Sequence, residues 1–92
     1  MVVQVERKEF TVRNKLGLHA RAAAKIVRTS SQFQSRICII KNGREADAKS
    51  MLDILTLSCP HGTRIELCAE GKDAAEAVAA LTVLFDNKFG EE

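Results

Sequence analysis

The sequence predicts an α+β protein, an open-faced β-sandwich in which a four-stranded antiparallel sheet carries three helices on one face. Segments with the twofold alternation of strands occur between segments with helical spacing of small and apolar residues. An Asn-Gly pair between two strand-like segments indicates an antiparallel hairpin. The element order is β-α-β-β-α-β-α, and helices on one face of such a sheet would bury its apolar side. A ferredoxin-like split β-α-β arrangement is the competing fold.

The first strand is predicted at Glu9–Arg13, with Phe10 and Val12 on one face. A loop follows over Asn14–Leu18. The first helix is predicted from Ala20 to about Ser31, because small residues recur there at helical spacing. This stripe comprises Ala20, Ala23, Ala24, Val27 and Ser31.

The next two strands are predicted at Arg36–Lys41, which is rich in β-branched residues, and at Arg44–Ala48. Asn42 and Gly43 separate them, and both positions of a type I′ turn need a positive φ. The fourth strand is predicted at Thr63–Ala69, where apolar residues alternate with polar ones.

The second helix is predicted at Ser50–Leu57, opened by the capping pattern of Ser50 and Asp53. Asp73 and Glu76 form a similar pair, which predicts that the last helix begins there and runs to about Asn87. Its apolar stripe comprises Ala74, Val78, Leu81 and Phe85.

Length and composition narrow the class of protein. A chain of 92 residues with 46% hydrophobic and 28% charged residues is expected to form a single domain over residues 1–92. No apolar run approaches the roughly 20 residues that span a bilayer, and the first residues do not have the pattern of a signal peptide. We therefore expect no membrane insertion, a cytoplasmic location and a monomer. A net charge of +2 without Trp or Tyr gives no indication of a nucleic-acid partner.

The three cysteines indicate neither a disulfide framework nor a metal site. An odd number without a Cys-x-x-Cys pair favours reduced thiols, and Cys38 and Cys68 are expected to be buried as small apolar residues. Cys59 and His61 are too few ligands for a structural zinc ion. We predict no metal and no cofactor.

The chemically suggestive residue is His19, which stands where a glycine-containing loop enters a helix. A helix start exposes unpaired N–H groups with partial positive charge and is therefore favourable for an anion. Arg21 would add a planar guanidinium that suits phosphate oxygens. A neutral imidazole has a lone pair that can attack phosphorus. The alternative from the local pattern alone is a helix-capping or surface histidine.

Three segments in order resemble the histidine-containing phosphocarrier (HPr) family. Gly17–Arg21 is similar to the family's phosphorylation-site signature, and Ala48–Leu52 is similar to its regulatory-serine segment. The third segment leads from Gly62-Thr63 into a strand that ends at Ala69–Gly71, as in the family. The resemblance covers about Lys8–Asn87.

The resemblance implies a phosphoryl carrier and not a stand-alone enzyme. The phosphoryl group would come from phosphoenolpyruvate through enzyme I and pass to an enzyme IIA-type acceptor. His19 would accept it through Nδ1, and Arg21 would stabilise it. Many family members have Pro where this chain has Ala22, which implies a small effect on the helix. The resemblance does not explain the residues Met1–Gln4.

Ser50 has two interpretations. It is a good N-cap residue, worth roughly 1 kcal/mol. By resemblance it is also a possible site for an HPr kinase/phosphorylase, which modifies this serine in part of the family. The resemblance further implies a partner surface made of residues from the first two helices. They are Ala20, Arg21, Ala24, Arg28, Met51, Leu52 and Leu55. The alternative for the three large apolar residues is burial in the core, although a short helix leaves part of such a set exposed.

Two further functions stay open. One is a purely regulatory phospho-signalling module of a nitrogen-type or carbon-regulation system, which would share the chemistry and differ in its partners. The other is a small hydrolase such as an acylphosphatase, which needs a different arrangement of Gly and Arg before the first helix.

Overall fold

The helices and strands follow the predicted order in the computed structural model, which describes residues 3–91. In chain order they are β1 Val5–Thr11, α1 Ala20–Ser30, β2 Arg36–Lys41, β3 Arg44–Asp47, α2 Met51–Leu57, β4 Arg64–Glu70 and α3 Ala74–Asp86. A short 3-10 turn at Lys88–Gly90 follows α3. None of the helices in residues 3–91 is both long enough and apolar enough to cross a bilayer.

The sheet confirms the predicted open-faced α+β class. Its strand order is β1-β4-β2-β3, and every neighbouring pair is antiparallel. Helix α3 packs on β1 and β4 and also contacts α1, whereas α2 packs on β3 and α1. Between the helices and the sheet lies a core of aliphatic side chains with almost no exposed surface. It includes Ile26, Ile37, Ile39, Ile54, Leu67 and Leu81.

The prediction for the first strand was wrong in its bounds. β1 begins at Val5 and ends at Thr11, before Val12, because pairing with β4 defines it rather than burial of its own residues. The chain adds one more contact before the strand, since the Gln4 carbonyl accepts the N–H of Gly71 at 2.8 Å. Part of the segment that the resemblance left unexplained therefore borders the sheet. Met1 and Val2 lie outside the described residues.

Two local signals predicted their structures correctly. Asn42 and Gly43 both have positive φ, +50° and +80°, as a type I′ turn requires. Ser50 is the N-cap of α2, and its hydroxyl accepts the N–H of Asp53 at 3.2 Å. The apolar stripe of α3 is also confirmed, because all four of its predicted members are buried.

Asp73 does not cap α3 through its side chain, contrary to the prediction. Its carboxylate instead accepts the N–H groups of Gln34 and Ser35, both at 2.9 Å, and the Ser35 hydroxyl at 2.5 Å. These three donors lower the pKa of Asp73, the Ser35 hydroxyl most strongly. The side chain therefore ties the start of α3 to the loop before β2.

The predicted stripe of α1 was displaced by about one residue. Ala23 is buried as expected, but Ala20 and Ser31 are exposed. The bulkier Ile26 defines the face that packs on the core, and Ala22 and Ser30 lie on that face with it. Ala20 at the start of the helix is consequently left toward solvent.

The cysteines are free thiols in the structure. Cys68 is buried as predicted and Cys38 is half-buried, on neighbouring strands directly opposite each other. Cys59 is buried in the loop before β4, and this burial raises the pKa of its thiol.

Candidate functional site

His19 is the N-cap residue of α1. Its backbone is extended (φ −75°, ψ −179°), and its carbonyl accepts the N–H of Ala23 at 2.8 Å. Nδ1 of the ring accepts the N–H of Arg21 at 3.4 Å. The helix-capping interpretation is therefore right in its geometry. The same geometry aims Nδ1 at the free amides of a helix start, where an anion is stabilised.

The loop before His19 is fixed against the loop before β4. Leu18 is buried and donates its N–H to the carbonyl of Cys59 at 2.8 Å. Gly17 has a φ of +67°, and a Cβ built there would lie 2.5 Å from the same carbonyl oxygen. Only glycine fits this turn. The backbone of the loop before His19 and that of α1 after it therefore set the position of His19.

Arg21 is exposed in the first turn of α1. It forms no ion pair within the part of the chain that the structure describes. Its positive charge is near enough to Glu91 to contribute to lowering the pKa of that carboxyl. The guanidinium is therefore carried by the first turn of the helix that His19 caps and is unpaired within residues 3–91.

The structure adds Glu91, which sequence reasoning missed. Its Oε2 lies 2.5 Å from Nε2 of His19, and its Oε1 accepts the Asn14 side-chain N–H at 3.0 Å. The hydrogen bond from Asn14 is the main cause that lowers the pKa of Glu91, followed by the hydrogen bond with His19. The imidazole therefore has one nitrogen on the helix start and the other on a carboxylate.

Asn14 is a second residue that sequence reasoning missed. It is fully buried, and its Nδ2 also donates to the carbonyl of Gly17 at 2.7 Å. Its Oδ1 is buried without a hydrogen-bond partner in residues 3–91. An asparagine before a glycine loop was the available signal, but it is equally typical of an ordinary turn.

The predicted partner residues of α1 and α2 are mostly exposed. Leu52 is 74% exposed, Leu55 41% and Met51 37%, so none of them is buried in the core. On α1, Ala20 and Arg28 are exposed and Ala24 is half-buried. The helices α1 and α2, which carry these side chains, contact each other. Leu16, 62% exposed in the loop before His19, is a further exposed apolar side chain that was not predicted.

Cys59 and His61, which could have suggested a metal ion, do not form a ligand set. Cys59 is buried, whereas His61 is exposed. In the described range, no group of three or more His, Cys, Asp or Glu side chains is placed to hold a metal ion.

Comparison with known proteins decides the family. The family model for the PTS HPr component phosphorylation site matches residues 6–87. This chain belongs to the HPr family. The match runs from the second residue of β1 to the end of α3, and the fold is that of solved HPr structures. Members of this family are phosphocarrier proteins, as the resemblance in the sequence implied.

Individual HPr relatives match over nearly their full length. The chain is 48% identical to the phosphocarrier protein HPr of Xylella fastidiosa strain Temecula1 over 91% of this chain and 94% of that one. It is 42% identical to the phosphocarrier protein NPr of Shewanella violacea over 98% of both chains. The crystal structure of HPr from Thermoanaerobacter tengcongensis superposes with a TM-score of 0.92 at 42% identity, covering 95% of this chain and 98% of that one.

Proposed function

We propose that this chain accepts a phosphoryl group on Nδ1 of His19 from phospho-enzyme I and passes it to an enzyme IIA-type acceptor. The observation that carries this proposal is the position of His19 as N-cap of α1, with Nδ1 directed at the amide of Arg21. The side chain is 22% exposed, so a partner can reach it while the ring is held. Membership of a phosphocarrier family supports the same chemistry.

Phosphorylation forms one bond and breaks one bond. The Nδ1 lone pair attacks phosphorus, an N–P bond forms, and the bond between phosphorus and the phosphorylated residue of enzyme I breaks. The group on His19 then carries about two negative charges at neutral pH, by analogy with other phosphorylated side chains. The helix start and the Arg21 guanidinium stabilise these charges. The reverse step, on an acceptor, restores the free imidazole.

The partner surface is proposed to consist of the exposed residues of α1 and α2 beside His19. An apolar centre of Met51, Leu52 and Leu55 is typical of a docking site on a small protein. Arg21 and Arg28 at its border would attract acidic partners and speed their association. The same surface would serve enzyme I and the acceptor in turn.

Ser50 is a candidate regulatory site next to this surface. It is half-buried, and its hydroxyl caps α2 through the N–H of Asp53. A phosphate there would be favoured by the helix start and would place negative charge beside Met51 and Leu52. Like-charge repulsion with acidic partners would then slow transfer to His19. The enzyme responsible would be an HPr kinase/phosphorylase.

The proposed site of action is the cytoplasm, where phosphoenolpyruvate is formed and used. The proposed working state is a monomer, because an apolar docking surface that serves two partners in turn must be free between encounters.

The test is phosphorylation with labelled phosphoenolpyruvate and purified enzyme I. Acid-labile label on the wild-type chain, absent from His19→Ala and present in His61→Ala, is the expected result. His61 is the matched control because it is the other histidine and is exposed. An unlabelled wild-type chain, or label that survives in His19→Ala, would contradict the proposal.

A purely regulatory phosphocarrier is the second candidate, favoured by the 42% identity to a relative named NPr. The two roles predict different acceptors for the same phosphohistidine. Transfer rates to a sugar-specific IIA domain and to a nitrogen-type IIA domain distinguish them. Faster transfer to the second would assign the chain to regulation.

A further inference from the structure

The contact between His19 and Glu91 occupies the ring nitrogen that the proposed chemistry leaves unused. Oε2 of Glu91 is 2.5 Å from Nε2, whereas Nδ1 faces the amide of Arg21. Glu91 lies beyond residues 6–87, which carry the family match. The contact is therefore made by the segment after α3, outside the part of the chain that the family model matches.

The segment after α3 is built to bring Glu91 back to His19. Lys88, Phe89 and Gly90 all have positive φ, so the chain reverses direction within a few residues. Phe89 is 2% exposed and packs edge-on against Phe85, with ring centroids 5.0 Å apart. Burying a phenylalanine stabilises this turn by about 2 kcal/mol, which fixes the path of the chain before Glu91.

Helix α1 also holds this segment. Nζ of Lys25 donates to the carbonyl of Phe89 at 2.5 Å. At the other side, Asn14 donates to Oε1 of Glu91 and leaves Oε2 for the imidazole. The carboxylate is thus oriented by a buried amide and a lysine-anchored backbone, and it is only 17% exposed. An incidental surface ion pair would have neither support.

We propose that Glu91 is a positioning residue for phosphoryl transfer at His19. Its carboxylate accepts the Nε2–H of the imidazole and holds the tautomer in which Nδ1 carries the lone pair that attacks phosphorus. The role deepens the proposed phosphocarrier function and rests on it.

The balance of protons and electrons explains why Nε2–H matters in both directions. When Nδ1 attacks phosphorus with its lone pair, the ring gains a positive charge, and the proton stays on Nε2. The carboxylate of Glu91 stabilises that cation. When the phosphoryl group leaves, the N–P electron pair returns to Nδ1 and a neutral imidazole departs. Without the proton on Nε2 the leaving group would be an imidazolate anion, which leaves far less readily.

Three variants separate this role from a structural one. Glu91→Ala removes the acceptor, and Glu91→Gln keeps an amide oxygen of the same reach without the charge. Glu6→Gln serves as the matched control. It removes one negative charge from an exposed side chain near the beginning of β1. The ring nitrogens are observed directly by 15N NMR of the free protein at about pH 8, where an ordinary histidine with a pKa of about 6.5 is neutral.

The proposal predicts a single Nε2–H tautomer in the wild type and in Glu6→Gln. In Glu91→Ala the two ring nitrogens shift toward a mixture of tautomers. The rate of phosphorylation by phospho-enzyme I falls by about tenfold, in the range found when an orienting partner of a histidine ligand is removed. The phosphorylation rate of Glu91→Gln should lie between those of the wild type and Glu91→Ala. The KM of enzyme I for this chain should change less than kcat.

Two results would overturn the proposal while leaving the phosphocarrier function intact. One is normal phosphorylation of Glu91→Ala with an unchanged tautomer. The other is faster transfer in that variant, which would mean that the contact slows transfer in the wild type. Failure of the wild type to be phosphorylated would instead overturn the proposed function, and the tautomer measurement would still report on the contact.

Discussion

Gly17 packs against the carbonyl of Cys59 so closely that no side chain fits between them. A Cβ at position 17 would lie 2.5 Å from the carbonyl oxygen and 2.7 Å from Cα of Pro60. The next residue, Leu18, donates its N–H to that same oxygen at 2.8 Å. The loop that carries His19 is therefore positioned by backbone contacts between segments far apart in the chain.

Gly17→Ala should destabilise the protein by about 2 kcal/mol or more, since the left-handed backbone alone costs an L-residue about 1–2 kcal/mol and the clash adds to it. Urea unfolding measures the change. Gly43→Ala is the matched control, because Gly43 has a φ of +80° and a Cβ there would meet nothing within 4 Å. It should lose only about 1 kcal/mol. Equal losses in the two variants would contradict the packing argument.

Arg21→Ala should slow phosphorylation of His19 by about 100-fold, the lower range for removing one donor to a developing anion. The guanidinium is exposed in the first turn of α1, so its loss should leave the stability of the fold nearly unchanged. The rate is measured by rapid quench with phospho-enzyme I. Lys72→Ala removes one exposed positive charge after β4 and should keep the wild-type rate. A similar decrease in both variants would mean that net charge, and not the position of Arg21, governs the step.

Leu52→Ala should weaken binding of enzyme I by about tenfold, because an apolar side chain at the centre of an interface contributes more than 1 kcal/mol. Leu52 is 74% exposed in the free protein, so the free energy of unfolding should change by less than about 0.5 kcal/mol. Calorimetry gives the affinity. Val83→Ala is the control, since Val83 is 58% exposed on α3. Unchanged affinity in Leu52→Ala would exclude this residue from the docking surface.

Asp73→Asn should lower stability at neutral pH and weaken its dependence on acid. The hydroxyl of Ser35 and the N–H groups of Gln34 and Ser35 lower the pKa of Asp73 in the folded state. A carboxyl with a lowered folded pKa stabilises the protein above its unfolded pKa, about 3.9, and loses this contribution as the pH falls through the folded value. Urea midpoints at pH 7 and pH 3 test this. A variant that loses as much stability on acidification as the wild type would refute the role of Asp73.

The parts of this fold that were predicted from sequence are those that local contacts determine. Asn42 and Gly43 specify their turn through their own φ preferences, and Ser50 reaches Asp53 within one turn of helix. His19 and Arg21 also lie close together in the chain, so the helix start that they share was recognisable. The exposure of Leu52 was predictable because a short helix cannot bury all of its apolar side chains.

The features that sequence reasoning missed depend on partners distant in the chain. Asp73 has the pattern of a capping residue, but Gln34 and Ser35 offer it three donors that the pattern cannot reveal. Val5 joins a strand because Glu70 pairs with it, although its own surroundings are exposed. Glu91 meets His19 only because the turn after α3 folds back along α1. No spacing in the sequence encodes that approach.

The most direct test of the central claim is the phosphorus–nitrogen scalar coupling of the phosphorylated chain with 15N-labelled histidine. We expect the phosphorus signal to couple to Nδ1 of His19, whereas Nε2 keeps its proton beside Glu91. Coupling to Nε2, or a phosphorus signal with no histidine coupling, would contradict it.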